Sequence, residues 1–407
     1  MNRNIGVWSA GALGLVPVGT PKIAVIGGGQ LARMMAPVAG ELGVHLRALV
    51  ESETGSAAQV LVDAPVGAAS DPEAIRSLIA GMDVLTFEHE HVPHDLLHQL
   101  VAEGVAVHPG PHALASAQDK IVMRQRLTEL GVPCPNWRAL SRDTEQASAE
   151  LDSFIAEFGP EVVVKTSRGG YDGKGVRIVS QATDVTDWFA GVAQGGPTLL
   201  VEEKVPFARE LAVLVARRPS GQVVTWPVVE SIQRDGVCSE VIAPAPNLDD
   251  ETAAHARSIA TKIAVGLDVT GVLAVEMFEV VTPHGPHILI NELAMRPHNS
   301  GHWTITGSVT SQFEQHLRAV LDLPLGSTAT TAPWTVMANV LGSSLETVTD
   351  ALPEVLKQFP HAKVNLYGKD VRPGRKLGHV NVSGSDLEQT LAQATAAAAI
   401  VRGESAN

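Results

Sequence analysis

The stretch KTSRGGYDGKGVRIV, from Lys165 to Val179, sets Gly169, Gly170, Gly173 and Gly175 among the cations Lys165, Arg168, Lys174 and Arg177. Glycines let backbone N–H groups come close to an anion, and the flanking cations supply charge. The β-branched runs VVVK and VRIV on either side predict two strands. A P-loop needs GxxxxGK followed by Ser or Thr and leads into a helix; here Lys174 is followed by Gly175 and a second strand. The pattern therefore predicts a β-loop-β flap able to fold over a phosphate chain. A plain hairpin with solvated charges is the competing reading, but it needs neither four glycines nor a lysine inside an apolar strand.

Four further clusters carry chemistry. GGGQLA at 27–32 fits G-x-G-x-x-G/A after a strand, with Glu51 about twenty residues on, and read alone it favours a dinucleotide. The runs GVLAVEMFEVV and HILINELAMRP flank the turn TPHGP. Folding about His284 and Gly285 makes Glu276 and Glu292 cross-strand neighbours, whose like charges a hard divalent cation would reconcile. A shifted register would instead leave both acids in water. RPHNSGHWT at 296–304 gathers a cation, hydrogen-bonding side chains and a glycine in a loop after a strand, a place for a polar ligand. YGKDVRPGRKLGH at 367–379 holds Lys369, Arg372, Arg375 and Lys376 round a Pro-Gly turn. That suits a phosphate monoester, a solvated basic turn being the alternative. His94 and His98 stand one helical turn apart, but Asp95 occupies the place of the zincin glutamate, so the spacing alone makes a weak zinc pair.

The elements that must position these groups read as an α/β chain. Strands are predicted at Lys22–Gly29, His45–Val50 and Asp83–Glu88, with helical spacing between, so an open, largely parallel sheet precedes the PGP at 109–111. The helix DKIVMRQRLTEL follows and stops at Gly131. Strand, glycine loop, strand, helical piece and strand make a small α/β unit from Val162 to about Pro206. Residues 210–292 are mainly strands with one helix near Asp250–Val265. The last part gives short strands and an alanine-rich terminal helix.

The 407 residues allow two or three domains, and the net charge of −14 argues against a general nucleic-acid surface. Cys134 and Cys238 fit no metal or redox spacing, which points to a reducing, cytoplasmic setting. No run is long and apolar enough to span a membrane. The apolar patch VWSAGALGLV in the first twenty residues reads as a loosely ordered extension rather than a signal peptide, because a strand follows almost at once.

Together these pieces resemble the ATP-grasp superfamily, and within it the 5-(carboxyamino)imidazole ribonucleotide synthases of purine biosynthesis. GGGQLARM, TFEHEHVP, KTSRGGYDGKG, EEKVPFAREL, AVEMF, INELAMRPHNSGHWT, SQFEQHLRA and YGKDVRPGRKLGHVN carry the resemblance in family order, from about Lys22 to the end. It implies a Rossmann-like parallel-sheet domain (21–115) after an extension (1–20). An ATP-grasp domain (116–325) follows, with a small α/β lid at about 136–206 and a large, mostly antiparallel α+β part. A C-terminal part (326–407) completes the substrate site. The implied reaction is the ATP- and bicarbonate-dependent carboxylation of aminoimidazole ribonucleotide. The resemblance puts Lys120, Lys165, Gly170, Tyr171, Asp172, Gly173, Lys174, Gly175, Val176, Glu202, Glu203, Lys204, Val205, Glu210, Gln233, Asn291 and Glu292 at ATP. Glu276 and Glu292 would hold magnesium. Gln30, Leu31, Arg296, His298, Asn299, Ser300, Lys369, Arg375 and Lys376 would surround ribonucleotide and bicarbonate, with Lys174 and Arg296 neutralising charge during catalysis. The family precedent is a homodimer. Met295 stands where the family commonly has proline, and Gln233 where a relative has histidine. A formate-dependent glycinamide ribonucleotide transformylase is the nearest rival. An NAD-dependent oxidoreductase and a non-catalytic nucleotide sensor are rivals of other classes.

Overall fold

The structure is a computed structural model and describes residues 17–170, 174–283 and 285–404. The apolar N-terminal patch, the flap tip Tyr171, Asp172 and Gly173, and the hairpin residue His284 lie outside the described residues.

Three sheets organise the chain. The first is parallel: β1 (Lys22–Ile26) lies between β2 (His45–Leu49) and β3 (Val84–Phe87). Helices cover both faces, which is why these strands are apolar along nearly their whole length. The helix Gln30–Glu41 starts at the glycine turn after β1, and Gly43 just beyond it takes φ +65°, the backbone state that ends a helix most cheaply with glycine.

The second sheet is the small α/β unit. β4 (Trp137–Ala139), β5 (Val162–Thr166), β6 (Val176–Val179) and β7 (Leu199–Glu203) pair antiparallel in the order β4-β7-β5-β6. β5 and β6 are the two strands predicted round the glycine loop, and Lys165 pairs with Val176 across its neck. Phe154, Leu151 and Phe189 from two helices seal one face.

The third sheet has nine strands among the described residues: β8 (Arg209–Arg217), β9 (Val223–Thr225), β10 (Val229–Arg234), β11 (Val237–Ala243), β12 (Gly271–Thr282), β13 (Gly285–Ala294), β14 (Trp334–Leu341), β15 (Lys363–Leu366) and β16 (Lys376–Gly384). The path runs β13-β12-β8-β10-β11-β14-β16-β15, with β9 on β8. One continuous sheet thus joins the paired-glutamate hairpin to the basic C-terminal segment. Strand alternation sorts its side chains into two cores. Val213 and Val215 of β8 face the helix Asp250–Gly266, while Ala212, Leu214 and Ala216 face Trp226 and Trp303. Truncating a buried side chain here, such as Leu273→Ala, costs about 2–5 kcal/mol. Met295 is buried in the first of these cores.

Candidate active site

Cationic side chains and carboxylates meet where the small sheet faces the β12–β13 hairpin. Asp119 caps the helix Lys120–Glu129 by accepting from the N–H groups of Ile121 (2.9 Å) and Val122 (3.3 Å), which fixes Lys120 at the first turn. Arg168, at the root of the flap, reaches the same Asp119 at 2.8 Å. Lys165 Nζ lies 2.7 Å from Glu202 Oε2 and 3.4 Å from Asn291 Oδ1. Arg124 Nε donates to Glu202 Oε1 at 2.6 Å, and its two remaining nitrogens donate to the Ile290 and Asn291 carbonyls at 2.9 Å. Burial alone would raise the Glu202 pKa; the Arg124 and Lys165 charges overcome it and hold the group down at about 2. Glu202 is therefore an anchor for cations rather than a proton carrier. Lys120 is pushed down to about 8, by burial first and the Lys165 charge second.

The two described ends of the flap approach each other in a way that needs glycine at both. Gly175 has φ +72°, and a Cβ there would stand 2.4 Å from Thr166 Oγ1; at Gly170 it would stand 2.6 Å from the Lys174 carbonyl. The side chains of Glu203 and Lys204 are engaged by Asn136 (2.7 Å) and Glu161 (2.7 Å), so their contribution to a nucleotide site would come from backbone. Val205 is buried.

Glu276 and Glu292 sit opposite each other in the β12–β13 register, with a bulge just after Glu276. Lys120 Nζ rests on Glu292, and His298 Nε2 lies 3.5 Å from Glu276 Oε1. Burial, with Glu276 second, pushes Glu210 up to about 7; Gln233 hydrogen-bonds to it. Among the described residues no group of three or more His, Cys, Asp or Glu converges on one point as a complete metal cage. Two facing carboxylates are the donor set of a magnesium that takes its other ligands from phosphate oxygens and water, so these residues fit that ion. His94 and His98 bond to each other, Nε2 to Nε2 at 2.9 Å.

The first sheet and the C-terminal segment supply the far wall. Lys369 Nζ donates to Gln30 Oε1 at 2.7 Å. Lys369 is lowered to about 8, by burial first; Glu88 works against that, and Arg375 and Lys376 add to it. Leu31 is buried behind Gln30. Arg296 Nε is 3.0 Å from Glu90. Asn299 and Ser300 are buried in the adjoining turn, with Ser300 Oγ 3.0 Å from His298 Nδ1. Arg375 Nη1 donates to the Asp370 carbonyl at 3.1 Å.

Sequence reasoning passed over Glu88, Glu90 and Arg124 as individual site residues. Glu88 accepts from the N–H groups of Gly29 and Leu31 at the start of the helix Gln30–Glu41, and burial raises its pKa despite them. The glycine turn that reads as a dinucleotide fingerprint thus gives its amides to a side chain, while Glu51 is exposed. The missed signal was position: Glu88 follows the carboxyl end of a parallel strand, where open α/β sheets bind ligands.

Comparison with known proteins shows the family and the fold. Residues 125–313 match the ATP-grasp domain, residues 20–118 the ribonucleotide synthetase preATP-grasp domain, and residues 335–393 the phosphoribosylaminoimidazole carboxylase C-terminal domain. The N5-carboxyaminoimidazole ribonucleotide synthase of Mycobacterium bovis is 52% identical over 381 residues, covering 93% of this chain and 87% of that one. The synthase of Corynebacterium ammoniagenes is 49% identical over 383 residues, covering 93% and 92%. The crystal structure of the Aspergillus clavatus synthase, solved with ADP and 5-aminoimidazole ribonucleotide, superposes with a TM-score of 0.82 at 30% identity, over 94% of this chain and 98% of that one. The three matched domains, the sheet order and these three relatives agree: the chain belongs to the N5-carboxyaminoimidazole ribonucleotide synthases of the ATP-grasp superfamily.

Proposed function

We propose that this chain joins bicarbonate to the amine of 5-aminoimidazole ribonucleotide at the expense of ATP, giving N5-carboxyaminoimidazole ribonucleotide, ADP and phosphate. The observation that carries the reading is a charged cluster with two differently built ends, bridged by His298, which lies 3.5 Å from Glu276 and two residues after Arg296. One end has the glycine flap, Lys165, Lys120 and the facing pair Glu276 and Glu292. The other has Lys369, Gln30 and Arg296.

At the first end the flap from Gly170 to Val176, with Lys165, Lys120 and Lys174, would cradle the phosphates of ATP. Glu202–Val205, Glu210, Gln233 and Asn291 would line the rest of the nucleotide site. Magnesium would be held by Glu276 and Glu292 and would neutralise charge on the transferring phosphoryl group. Bicarbonate is a poor electrophile. Its oxygen attacks the γ-phosphorus, the bond to the ADP oxygen breaks, and carboxyphosphate forms with a phosphate leaving group in place. Loss of that phosphate releases CO₂ beside the substrate amine, which adds to it and gives up a proton. Little covalent help is needed; the protein aligns the partners and neutralises charge.

Arg296 would meet the carboxyphosphate oxygens, held in aim by Glu90. Gln30, Leu31, His298, Asn299, Ser300, Lys369, Arg375 and Lys376 would receive the ribonucleotide, the cations at its phosphate. The flap would also keep out water, which destroys carboxyphosphate. A homodimer in the cytoplasm completes the reading; no helix among the described residues is long and apolar enough to cross a membrane.

The test is ADP release by purified protein with ATP, magnesium and bicarbonate, with and without aminoimidazole ribonucleotide. Strong stimulation with an acid-labile carboxylated product supports the reading. A folded, ATP-binding protein that shows no stimulation has another acceptor.

A further inference from the structure

Behind the ribonucleotide end lies a file of buried polar rings that the reaction does not use. Lys369 Nζ stands 5.4 Å above the Tyr367 ring. The Tyr367 hydroxyl is 2.7 Å from His379 Nδ1. The His379 and His302 rings stack with centroids 4.9 Å apart and planes 29° apart. His302 Nδ1 is 3.0 Å from Gln312 Nε2. Gln312 then clasps the His298 backbone on both sides, accepting from its N–H and donating to its carbonyl, each at 2.8 Å. Tyr367, His379, His302 and Gln312 are all fully buried. The file begins and ends at residues of the proposed site, Lys369 and His298, which come from different segments of the chain.

Its proton placement follows from the hydrogen bonds. Because Gln312 Oε1 accepts from His298 N–H, Gln312 Nε2 is the donor to His302, so His302 Nδ1 accepts and its proton sits on Nε2. The Tyr367 hydroxyl is buried with His379 Nδ1 as its partner, so it donates, and His379 also carries its proton on Nε2. Neither Nε2 has a protein partner within hydrogen-bonding distance. A second proton on either ring would therefore bury a charge with nothing to pair it. Burial holds the His379 pKa down at about 3 and pushes His302 well below its usual value. The column is neutral and has one arrangement of donors and acceptors.

It is also clamped at the Lys369 end. Ser56 Oγ donates to the Tyr367 carbonyl at 2.6 Å and Gln59 Nε2 to the Gly368 carbonyl at 2.7 Å, both from the chain beyond the first sheet's second strand. A Cβ at Gly368, which has φ +64°, would stand 2.1 Å from Gln59 Oε1. So Lys369 is held from beneath by the Tyr367 ring and its backbone is held from the side by the first sheet's domain.

We propose that the Tyr367–His379–His302–Gln312 column is a positioning element that fixes the spacing between Lys369 and the His298 turn, and so the fit of the ribonucleotide. The proposal rests on the assignment of the ribonucleotide to the Lys369 and Arg296 end of the site. None of the four side chains is asked to touch substrate; each acts through the next.

The test is Tyr367→Phe, which keeps the ring under Lys369 and removes the hydroxyl that grips His379. Wild-type protein is measured first: without stimulation by aminoimidazole ribonucleotide, the functional reading fails, not this one. Given stimulation, Tyr367→Phe is expected to raise KM for the ribonucleotide about tenfold, with KM for ATP and ribonucleotide-independent ADP release within twofold of wild type. His379→Gln, which keeps an acceptor for the hydroxyl, should hold KM closer to wild type than His379→Leu. An unchanged ribonucleotide KM in folded Tyr367→Phe overturns the proposal, as does an equal rise in both KM values, which would mark general loosening. Where Tyr367→Phe does not fold, equal ribonucleotide KM values for the two His379 variants overturn it.

Discussion

The Arg124 guanidinium and the Glu202 carboxylate meet at 2.6 Å with both side chains almost wholly out of water. Breaking a buried pair leaves an uncompensated charge, so Glu202→Gln should lower unfolding free energy by about 3–5 kcal/mol at neutral pH. The sign of the pH dependence follows from the depressed carboxylate. Its stabilisation is full above about pH 4.5 and is lost as pH falls toward about 2. Urea unfolding of both proteins should therefore show a gap that narrows over that acid range. A gap of constant size from pH 7 to pH 3 would remove Glu202 as the titrating anchor.

The facing pair Glu276 and Glu292 leads to a different expectation, loss of chemistry without loss of fold. Glu292 is half-exposed; its loss relieves cross-strand repulsion with Glu276 but also takes the carboxylate partner from the buried Lys120, so Glu292→Ala should stay folded with at most a modest loss of stability. Turnover should fall by about a thousandfold, the scale of losing one strong electrostatic contact to a transition state. Normal ADP release from the folded variant would sink the metal assignment.

How much of this was legible in the sequence depended on whether the cause was local. The strands round the flap followed from β-branched runs, and the Glu276–Glu292 register from the length of one hairpin. Turns constrain their flanks over a few residues, and sequence carries that information. The Arg124–Glu202 pair spans 78 residues, the Arg296–Glu90 pair 206, and the Tyr367–His379–His302 column brings together a strand and two loops. Such contacts depend on where sheets pack, and no local pattern marks them. Glu88 was obscured for another reason: a glycine turn advertises an anion site without saying that the protein's own carboxylate fills it.

The flap's glycines can be separated by substitution. Gly175 combines a positive φ with a Cβ position blocked by Thr166 Oγ1, whereas Gly169, at φ +78°, has open space around it. Gly175→Ala should therefore raise KM for ATP about tenfold or more, because both strain and a clash oppose the local backbone at the flap's neck. Gly169→Ala meets strain alone, about 1 kcal/mol, and should cost severalfold. Equal effects of the two changes would mean that the close approach of Gly170 and Gly175 is not a feature of the form that binds nucleotide.

Lys369 makes the ribonucleotide affinity sensitive to pH in a direction that stability cannot mimic. In the free protein it loses its proton as pH rises through about 8. KM for the ribonucleotide should then climb severalfold between about pH 7.5 and 9, up to the tenfold per unit that loss of one required charge allows. Folding runs the other way. The unfolded chain, with its ordinary lysine pKa, binds more protons between about 8 and 10.5, so this group's contribution to stability increases over the same range. Weaker binding there is thus not incipient unfolding. Lys120 is also lowered to about 8 and should impose a similar rise on KM for ATP. Lys369→Arg separates the two, because guanidinium keeps its charge throughout. In that variant the ribonucleotide profile should flatten while the ATP profile keeps its slope. If both flatten, or neither does, Lys369 is not the charge that the ribonucleotide phosphate requires.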